Sequence, residues 1–140
     1  MGRHGMVMFL LDVSVLFAAL NRTHKAHQTV TRWLASIDRH ASCGLTQIGT
    51  FRLLLTPTTM HGRPMKSAAA HEMIADFTGC RRHRFVACPA LSRSTVGKTN
   101  GHNAAVDDYL VQIANDAGCR LATLDRALAT RWPERTLLIN

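Results

Sequence analysis

The sequence predicts an α/β fold in which helices flank a parallel sheet. Short apolar segments alternate with longer segments whose apolar residues recur at helical spacing, the pattern typical of such folds. The first segment, residues 7–11, is continuously apolar, as a strand buried on both faces is. Residues 119–124 form a second strand candidate, and each of these two segments ends at an aspartate with a helix behind it. With 140 residues and no internal repeat or linker, we expect one domain spanning residues 1–140.

The other elements are placed by helical periodicity and by residues that end helices or strands. Helices are predicted at about residues 13–20, 25–38, 46–56, 65–78, 103–117 and 126–131. Weaker strands are predicted at residues 41–45, 84–87 and 136–139, and a solvated loop at residues 91–101. Ile48 and Val106 are assigned to the buried apolar stripes of their helices, and Gly118 is expected to end the helix before it.

The chain is basic, and its charge narrows the choice of partners. It carries 17 Lys and Arg against 9 Asp and Glu, a formal net charge of +8 at pH 7. This balance favours a polyanionic partner, with nucleic acid first and an acidic protein second. No apolar run is long enough to cross a membrane, and the N-terminus lacks the layout of a signal peptide. We therefore expect a cytoplasmic protein without a membrane partner.

Cysteines and histidines give little support to a zinc enzyme. The four cysteines include no C-x-x-C pair, so disulfides are not expected. Cys80, His83 and Cys88 resemble part of a zinc site, but a fourth ligand is missing. None of the eight histidines has the spacing found on metal-binding helices of zinc hydrolases.

Three carboxylates are the candidate reactive groups. Asp12 and Asp125 each follow a predicted strand, and Asp107 stands in the first turn of its helix. Each has a structural explanation, because Asp12 and Asp125 suit helix N-caps and Asp107 would stabilise the helix dipole by ~0.3–1 kcal/mol. If the two strands are parallel, however, both caps project at one sheet edge, where open α/β sheets bind ligands. Asp108, about 100° further around the helix, is expected to be solvated.

Convergence of these carboxylates would require a cation. Three carboxylates within ~5 Å of one another repel by roughly 3 kcal/mol per pair at an effective dielectric constant near 20. Separate helix caps would not carry this cost. Oxygen ligands without sulfur or imidazole suit Mg²⁺ or Mn²⁺, and a bound divalent ion activates water and stabilises charge on a phosphodiester. Carboxylates, a metal and a basic surface together suggest a nuclease.

The most basic region surrounds the loop predicted at residues 91–101. Its cations are Arg81, Arg82, Arg84, Arg93 and Lys98. A solvated charged face and a set of phosphate contacts explain this region equally well, and Arg93 and Lys98 are the RNA-binding candidates. Residues 92–99 end like the phosphate-binding loop of nucleotide hydrolases, but Ser92 stands where that loop begins with glycine. A nucleotide hydrolase is therefore not predicted.

In chain order, several segments resemble PIN domains, and specifically the VapC-type toxin ribonucleases of bacterial type II toxin–antitoxin systems. The matching segments cover nearly the whole chain and are residues 10–16, 24–34, 45–52, 101–110 and 118–128. The resemblance implies a Rossmann-like sheet whose acids meet at one edge and bind Mg²⁺ or Mn²⁺, so that a metal-activated water cleaves RNA. Asp12, Asp107 and Asp125 match the family's acidic positions, as catalytic and metal-binding residues.

The resemblance also implies supporting residues and partners. Ser14 matches a small polar residue that supports the first aspartate, and we assign the same supporting role to Thr123. Family members usually form homodimers and are held inactive by a cognate VapB-type antitoxin that covers the acidic pocket. The expected partners of this chain are therefore RNA, such an antitoxin and a second copy of itself.

One position departs from the family pattern. Where the family often has glutamate after its second strand, this chain has Gln47, which can orient water but carries no charge. We place Gln47 among the catalytic residues and expect weaker binding of any second metal. Arg52 would support the site by pairing with the carboxylates or contacting phosphate; alternatively it is an exposed helix cation. Gln47 also keeps open a second hypothesis, a PIN-like module that binds RNA or protein without cutting, and a third is a generic α/β module.

Overall fold

The computed structural model describes residues 7–140 and contains one sheet of five parallel strands. The strands are β1 (Met8–Leu11), β2 (Arg39–Ser42), β3 (His83–Phe85), β4 (Arg120–Thr123) and β5 (Thr136–Leu138). Their order is β3-β2-β1-β4-β5, and all four neighbouring pairs are parallel. The chain thus builds outward from β1 to β3 and then returns to the other side of β1. This reversal places a topological switch point between β1 and β4, and open α/β sheets generally bind ligands beyond the carboxyl ends of the strands at such a point.

Seven α-helices connect the strands in the described part of the chain. They are α1 (Val13–Leu20), α2 (His27–Ser36), α3 (Gly44–Leu54), α4 (Ser67–Thr78), α5 (Arg93–Val96), α6 (Ala105–Asp116) and α7 (Arg126–Arg131). A turn of 3₁₀ helix, His102–Ala104, precedes α6. Gly118, with φ of +73°, ends the turn that follows α6. The predicted parallel α/β architecture is confirmed. The short α5 lies inside the segment predicted to be a loop.

The core lies on both faces of the sheet because successive residues of β1 point in opposite directions. Leu10 packs with Leu121 and Leu110 against α6, whereas Leu11 packs with Ala122 and Val15 against α1 and α2. Each fully buried leucine contributes roughly 1.5–3 kcal/mol relative to an exposed one. Packing on both faces therefore fixes the ends of β1 and β4, and with them the residues that follow.

Two helical stripes differ from the prediction. Ile48 is 58% exposed because α3 instead buries Thr46, Thr50 and Leu54. The Thr50 hydroxyl donates to the Thr46 carbonyl oxygen at 2.8 Å, so this polar side chain is satisfied within the helix and can be buried. Val106 is 54% exposed because the buried residues of α6 begin only at Asp108 and continue from Leu110.

Strand β2 begins earlier than predicted and buries a histidine. His40 pairs in register with His83 of β3, and their ring centroids lie 5.6 Å apart. His40 is 4% exposed and also contacts Phe77 of α4, at 5.2 Å between ring centroids. Neither ring nitrogen of His40 has a hydrogen-bond partner among residues 7–140. Burial, followed by the charges of His83 and Arg82, lowers the pKa of His40 from 6.5 to about 4.

Two absences concern the sequence predictions. No helix within residues 7–140 has the length and apolar character needed to cross a membrane. Cys80 and Cys88 are exposed, and all four cysteines are free. Within the described chain, Cys80, His83 and Cys88 do not form part of any group of three residues arranged to hold a metal.

Candidate active site

The three predicted carboxylates come from three elements around the switch point. Asp12 follows β1 and caps α1, and Asp125 follows β4 and caps α7. Leu11 is paired in register with Ala122, and the Asp12 backbone N–H donates to the Ala122 carbonyl oxygen at 3.0 Å. The two caps therefore leave the sheet at the same edge. Asp107 joins them from the first turn of α6. We call Asp12, Asp107 and Asp125 the carboxylate edge.

Asp12 is the buried member of the carboxylate edge. It is 6% exposed, and its Oδ1 accepts from the Val13 backbone N–H at 2.6 Å. Its Oδ2 accepts from the hydroxyls of Thr123 at 2.7 Å and Ser14 at 3.3 Å. Burial raises the pKa of Asp12, these hydrogen bonds oppose the rise, and the charge of Asp125 adds to it. The residue is thus a helix cap, as predicted, and also a carboxylate whose charged form is disfavoured by its surroundings.

Ser14 and Thr123 join the ends of the two strands. The Thr123 hydroxyl oxygen accepts from the Asp125 backbone N–H at 3.0 Å while it donates to Asp12. The Ser14 hydroxyl oxygen accepts from the Leu124 backbone N–H at 3.3 Å. Both side chains therefore link Asp12 to the segment that carries Asp125. Their position agrees with the supporting role expected of them.

Asp125 and Asp107 are more accessible than Asp12. Asp125 is exposed, and its Oδ1 accepts from the backbone N–H groups of Ala127 at 2.9 Å and Leu128 at 3.3 Å. Asp107 is half-buried and makes no side-chain hydrogen bond within the described chain. Burial raises the pKa of Asp107, the negative charges of Asp12 and Asp125 raise it further, and the positive charge of Arg131 opposes them. The carboxylates are thus close enough to act on one another.

Asp108 is not solvated, contrary to the prediction. It is buried, and its Oδ1 accepts from Arg131 Nη2 and Trp132 Nε1, each at 2.9 Å. Its Oδ2 accepts from the Thr99 hydroxyl, also at 2.9 Å. Burial alone would raise the pKa of Asp108, but these hydrogen bonds and the Arg131 charge outweigh it and lower the pKa. The prediction failed because donors 9 to 24 residues away leave no pattern in the sequence.

Gln47 lies in a separate hydrogen-bonded chain. Its Nε2 donates to the Ser42 hydroxyl oxygen at 3.0 Å, and this oxygen is 2.7 Å from His83 Nε2. If His83 is neutral and accepts from Ser42, these hydrogen bonds use the Gln47 amide nitrogen and leave its side-chain carbonyl oxygen without a partner in this series. No hydrogen bond within residues 7–140 joins Gln47 to the carboxylate edge. The role of Ser42 and His83 beside Gln47 was not predicted from the sequence.

The predicted cations occupy different environments. Arg52 is exposed and forms no ion pair in the described part of the chain, where Arg131–Asp108 is the one salt bridge. Arg93 and Lys98 are exposed, in the segment that Thr99 and Gln112 fasten to α6. Arg82 instead donates to carbonyl oxygens at the end of α2, those of Leu34, Ile37 and Asp38. Of the basic region, Arg93 and Lys98 thus remain available to a ligand near α6.

The arrangement of the carboxylates limits how a metal could bind. Across residues 7–140, no group of three or more His, Cys, Asp or Glu side chains is placed so that it could hold a metal ion, so Asp12, Asp107 and Asp125 together do not form such a group. Asp125 also uses one oxygen to cap α7. Mg²⁺, however, is usually held by one or two protein carboxylates and keeps several of its waters. Asp12 and Asp107 suit such a partial set of ligands, with Asp125 nearby.

Comparison with known proteins supports a family assignment. No family model matches the chain. It is 32% identical over 126 residues to ribonuclease VapC44 of Mycobacterium tuberculosis, found in two strains, and the match covers 86% of this chain and 87% of the relative.

Two solved structures share the fold. The crystal structure of Mycobacterium tuberculosis VapC20, described as a sarcin-ricin loop cleaving toxin, matches with a TM-score of 0.65 at 15% identity, over 89% of this chain and 95% of that one. The structure of PAE2754 from Pyrobaculum aerophilum matches with a TM-score of 0.60 at 22% identity, over 94% and 83% of the two chains. The VapC44 identity, the parallel sheet and the carboxylates at its switch point lead to one conclusion: the chain belongs to the VapC family of PIN-domain toxin ribonucleases.

Proposed function

We propose that this VapC ribonuclease is a Mg²⁺- or Mn²⁺-dependent endoribonuclease and the toxin of a VapBC-type toxin–antitoxin pair. Asp12 and Asp107 would be its principal metal ligands, and Asp125 would assist. The observation that carries the proposal is the state of Asp12, which is buried, receives hydrogen bonds only from neutral donors and forms no ion pair within residues 7–140.

A divalent cation would relieve the electrostatic cost of this arrangement. A buried carboxylate is expensive unless an opposite charge accompanies it. Burial and neighbouring carboxylates raise the pKa values of Asp12 and Asp107, which means that their charged forms are disfavoured. A bound cation would stabilise both charged forms. The oxygen-only set of donors selects Mg²⁺ or Mn²⁺ over softer metals.

The chain's own residues would organise this site. Thr123 and Ser14 hold Asp12 Oδ2 in place and tie it to the backbone before Asp125. A divalent ion bound there would stabilise charge on the phosphodiester and make water more acidic. We further propose that Gln47, whose amide nitrogen is held by Ser42, orients water with its carbonyl oxygen.

RNA and protein partners fit the charge of the molecule. The net charge of +8 favours a polyanionic substrate, and exposed Arg93 and Lys98 lie on the segment that Thr99 fastens to Asp108 of α6. We propose that they contact RNA phosphates, with Arg52 as a further cation on α3. A VapB-type antitoxin that covers the carboxylate edge, and a homodimer, are the partners we propose from membership of the family.

An RNA cleavage assay with matched variants tests the proposal. The wild type should cut RNA with Mg²⁺ or Mn²⁺ and not with a chelator, and Asp12→Asn should cut at least ~100-fold more slowly because it removes a charged ligand. Asp76→Asn, the same change at an exposed position of α4, should cut normally. Unchanged cleavage by Asp12→Asn would refute the role of Asp12. Salt-sensitive RNA binding without any cleavage by the wild type would select the non-cutting PIN-like module instead.

Thermal unfolding tests the metal site independently of activity. At a hundredfold excess over its Kd, the metal should raise the free energy of unfolding by ~2.7 kcal/mol. The rise should be absent in Asp12→Asn and present in Asp76→Asn. If neither ion stabilises the wild type, Asp12 and Asp125 are only helix caps, and Asp107 is only an acidic residue in the first turn of α6.

A further inference from the structure

Helix α7 connects the carboxylate edge to an arginine that the sequence did not single out. The helix starts at Asp125, its N-cap, and ends six residues later at Arg131. Such a helix is only about 9 Å long. The Arg131 side chain reaches Asp108, in the first turn of α6 and adjacent to Asp107. Arg131 is therefore held beside the same edge at which its helix begins.

Asp108 anchors this guanidinium by one nitrogen. Arg131 Nη2 donates to Asp108 Oδ1, while Trp132 and Thr99 supply the remaining hydrogen bonds to that carboxylate. Neither Nε nor Nη1 of Arg131 makes a hydrogen bond within the described chain, and 39% of its side chain is exposed. Arg131 thus has one anchored nitrogen, a partly exposed side chain and further N–H groups that the described chain does not engage.

The charge of Arg131 reaches the carboxylate edge. Its hydrogen-bond partner Asp108 directly follows Asp107 in α6, and its helix begins at Asp125, so the guanidinium is held near two of the three carboxylates. An RNA phosphate that approaches three carboxylates is repelled by them. A cation at the rim of the site offsets this repulsion, and guanidinium binds phosphate oxygens through paired N–H donors.

We propose that Arg131 binds a phosphate of the RNA substrate at the carboxylate edge, and that Asp108 is the positioning residue that holds it there. The inference rests on the proposed ribonuclease function and names a substrate-binding group for the same site. A structural ion pair would account for the Arg131–Asp108 contact, but it would leave RNA binding independent of Arg131.

The primary experiment measures RNA binding without cleavage. In an Asp12→Asn background with a chelator present, Arg131→Gln should weaken binding to single-stranded RNA about tenfold, as the loss of a charged hydrogen bond does. It should also reduce the slope of log K against log salt by about 0.7, the value for one phosphate contact on a single strand. Arg32→Gln, an exposed arginine on α2, is the matched control and should change neither quantity.

Kinetics with metal separate a charge effect from a geometric one. In the otherwise wild-type chain, Arg131→Gln should raise KM and lower kcat/KM by about 10- to 100-fold. Arg131→Lys should restore the salt slope but not kcat/KM, because an ammonium lacks paired N–H donors. Asp108→Asn should lower kcat/KM less than Arg131→Gln does, and the double variant should be no worse than Arg131→Gln alone.

Two outcomes distinguish this inference from the function on which it rests. If the wild type cleaves RNA and Arg131→Gln binds and cleaves equally well, with only a lower Tm, Arg131 is structural and the inference is overturned. If the wild type does not cleave RNA but its binding depends on Arg131 as described, the inference stands and the metal-dependent nuclease fails.

Discussion

Two strand pairs in this sheet bury titratable side chains, and they treat them in opposite ways. At β1–β4, both oxygens of Asp12 accept hydrogen bonds, from Val13, Thr123 and Ser14. At β2–β3, neither ring nitrogen of His40 has a partner within the described chain. Donors can support a charge on Asp12, whereas the surroundings of His40 keep its ring neutral. We therefore expect the first region to determine activity and the second to affect stability.

The position of each region in the sheet accounts for this difference. The carboxylate edge lies at the switch point beside β1, the kind of position at which open α/β sheets bind ligands. His40 instead lies between Phe77 and His83, covered by α4. A polar side chain at the switch point, such as Asp12, can exchange its hydrogen bonds within the protein for contacts with a ligand. A side chain covered by a helix, such as His40, cannot. The same sheet thus has one region, around Asp12, that can hold a charged side chain and another, around His40, that keeps its side chain neutral.

The largest expected effect is on cleavage by Asp107→Asn. This change removes the carboxylate on which the charges of both Asp12 and Asp125 act. The rate of cleavage with Mg²⁺ should therefore fall at least ~100-fold, which corresponds to a rise of about 2.7 kcal/mol in the activation free energy. The metal-free free energy of unfolding should not fall, because like-charge repulsion is relieved. Asp116→Asn, an exposed position on the same helix, is the control for both measurements. Equal cleavage by the two variants would remove Asp107 from the site.

The second effect concerns acid stability and His40→Phe. The pKa of His40 is about 4 in the folded state, against an ordinary value of 6.5, so its protonation favours unfolding. Its contribution to stability is intact above pH 6.5 and is lost as the pH falls towards 4. Between pH 7 and 5, the wild type should lose about 2 kcal/mol more than His40→Phe in urea unfolding. Because the pKa values of Asp12 and Asp107 are raised, these two residues add to stability as the pH falls, and they do so equally in both proteins.

The control for this acid effect is the exposed His71, on α4. The variant His71→Gln should keep the full acid sensitivity of the wild type. If His40→Phe loses stability in acid as steeply as the wild type does, the unpartnered ring of His40 is not the cause. RNA cleavage at pH 7 by His40→Phe should remain normal, which would separate the two regions.

The third effect tests whether the hydrogen-bond donors around Asp12, which have no counterpart around His40, contribute to stability and activity. Thr123→Val removes the hydroxyl that donates to Asp12 and accepts from the Asp125 backbone N–H, so the free energy of unfolding should fall by about 1.5 kcal/mol. Thr123→Ser retains the hydroxyl and should lose less. RNA cleavage should follow the same order, because Asp12 is held less firmly. If valine and serine have the same effect in both assays, the hydroxyl contributes nothing.

The smallest effect is expected from Gln47→Glu, at the position where the sequence predicts a departure from the family pattern. If Gln47 faces the metal, a carboxylate there should lower the Mg²⁺ concentration for half-maximal cleavage about threefold to tenfold. Glutamate cannot donate to Ser42, so the neighbouring His83 should also become easier to protonate, which NMR titration measures. Gln28→Glu, at an exposed position of α2, controls for added charge. An unchanged metal requirement in both variants would place Gln47 outside the metal site.

Local patterns predicted what depends on local structure. The apolar strand, the aspartate and the helix that follows were sufficient to place Asp12 and Asp125 at one edge, because parallel strands end on the same side. Asp108 and Arg131 escaped prediction because their contact joins two helices, 23 residues apart, and neither residue has a pattern of its own. The early start of β2 was missed because Arg39 and His40 are polar, although pairing with β1 and β3 stabilises them as a strand.

The hydrogen bond between Thr123 and Asp12 spans 111 residues of sequence. During synthesis, the first aspartate of the site emerges early and remains without its partner until β4 has left the ribosome and docked beside β1. A nascent chain that ends before residue 107 lacks two of the three carboxylates. The order of the strands therefore delays the assembly of the carboxylate edge until most of the polypeptide has been made.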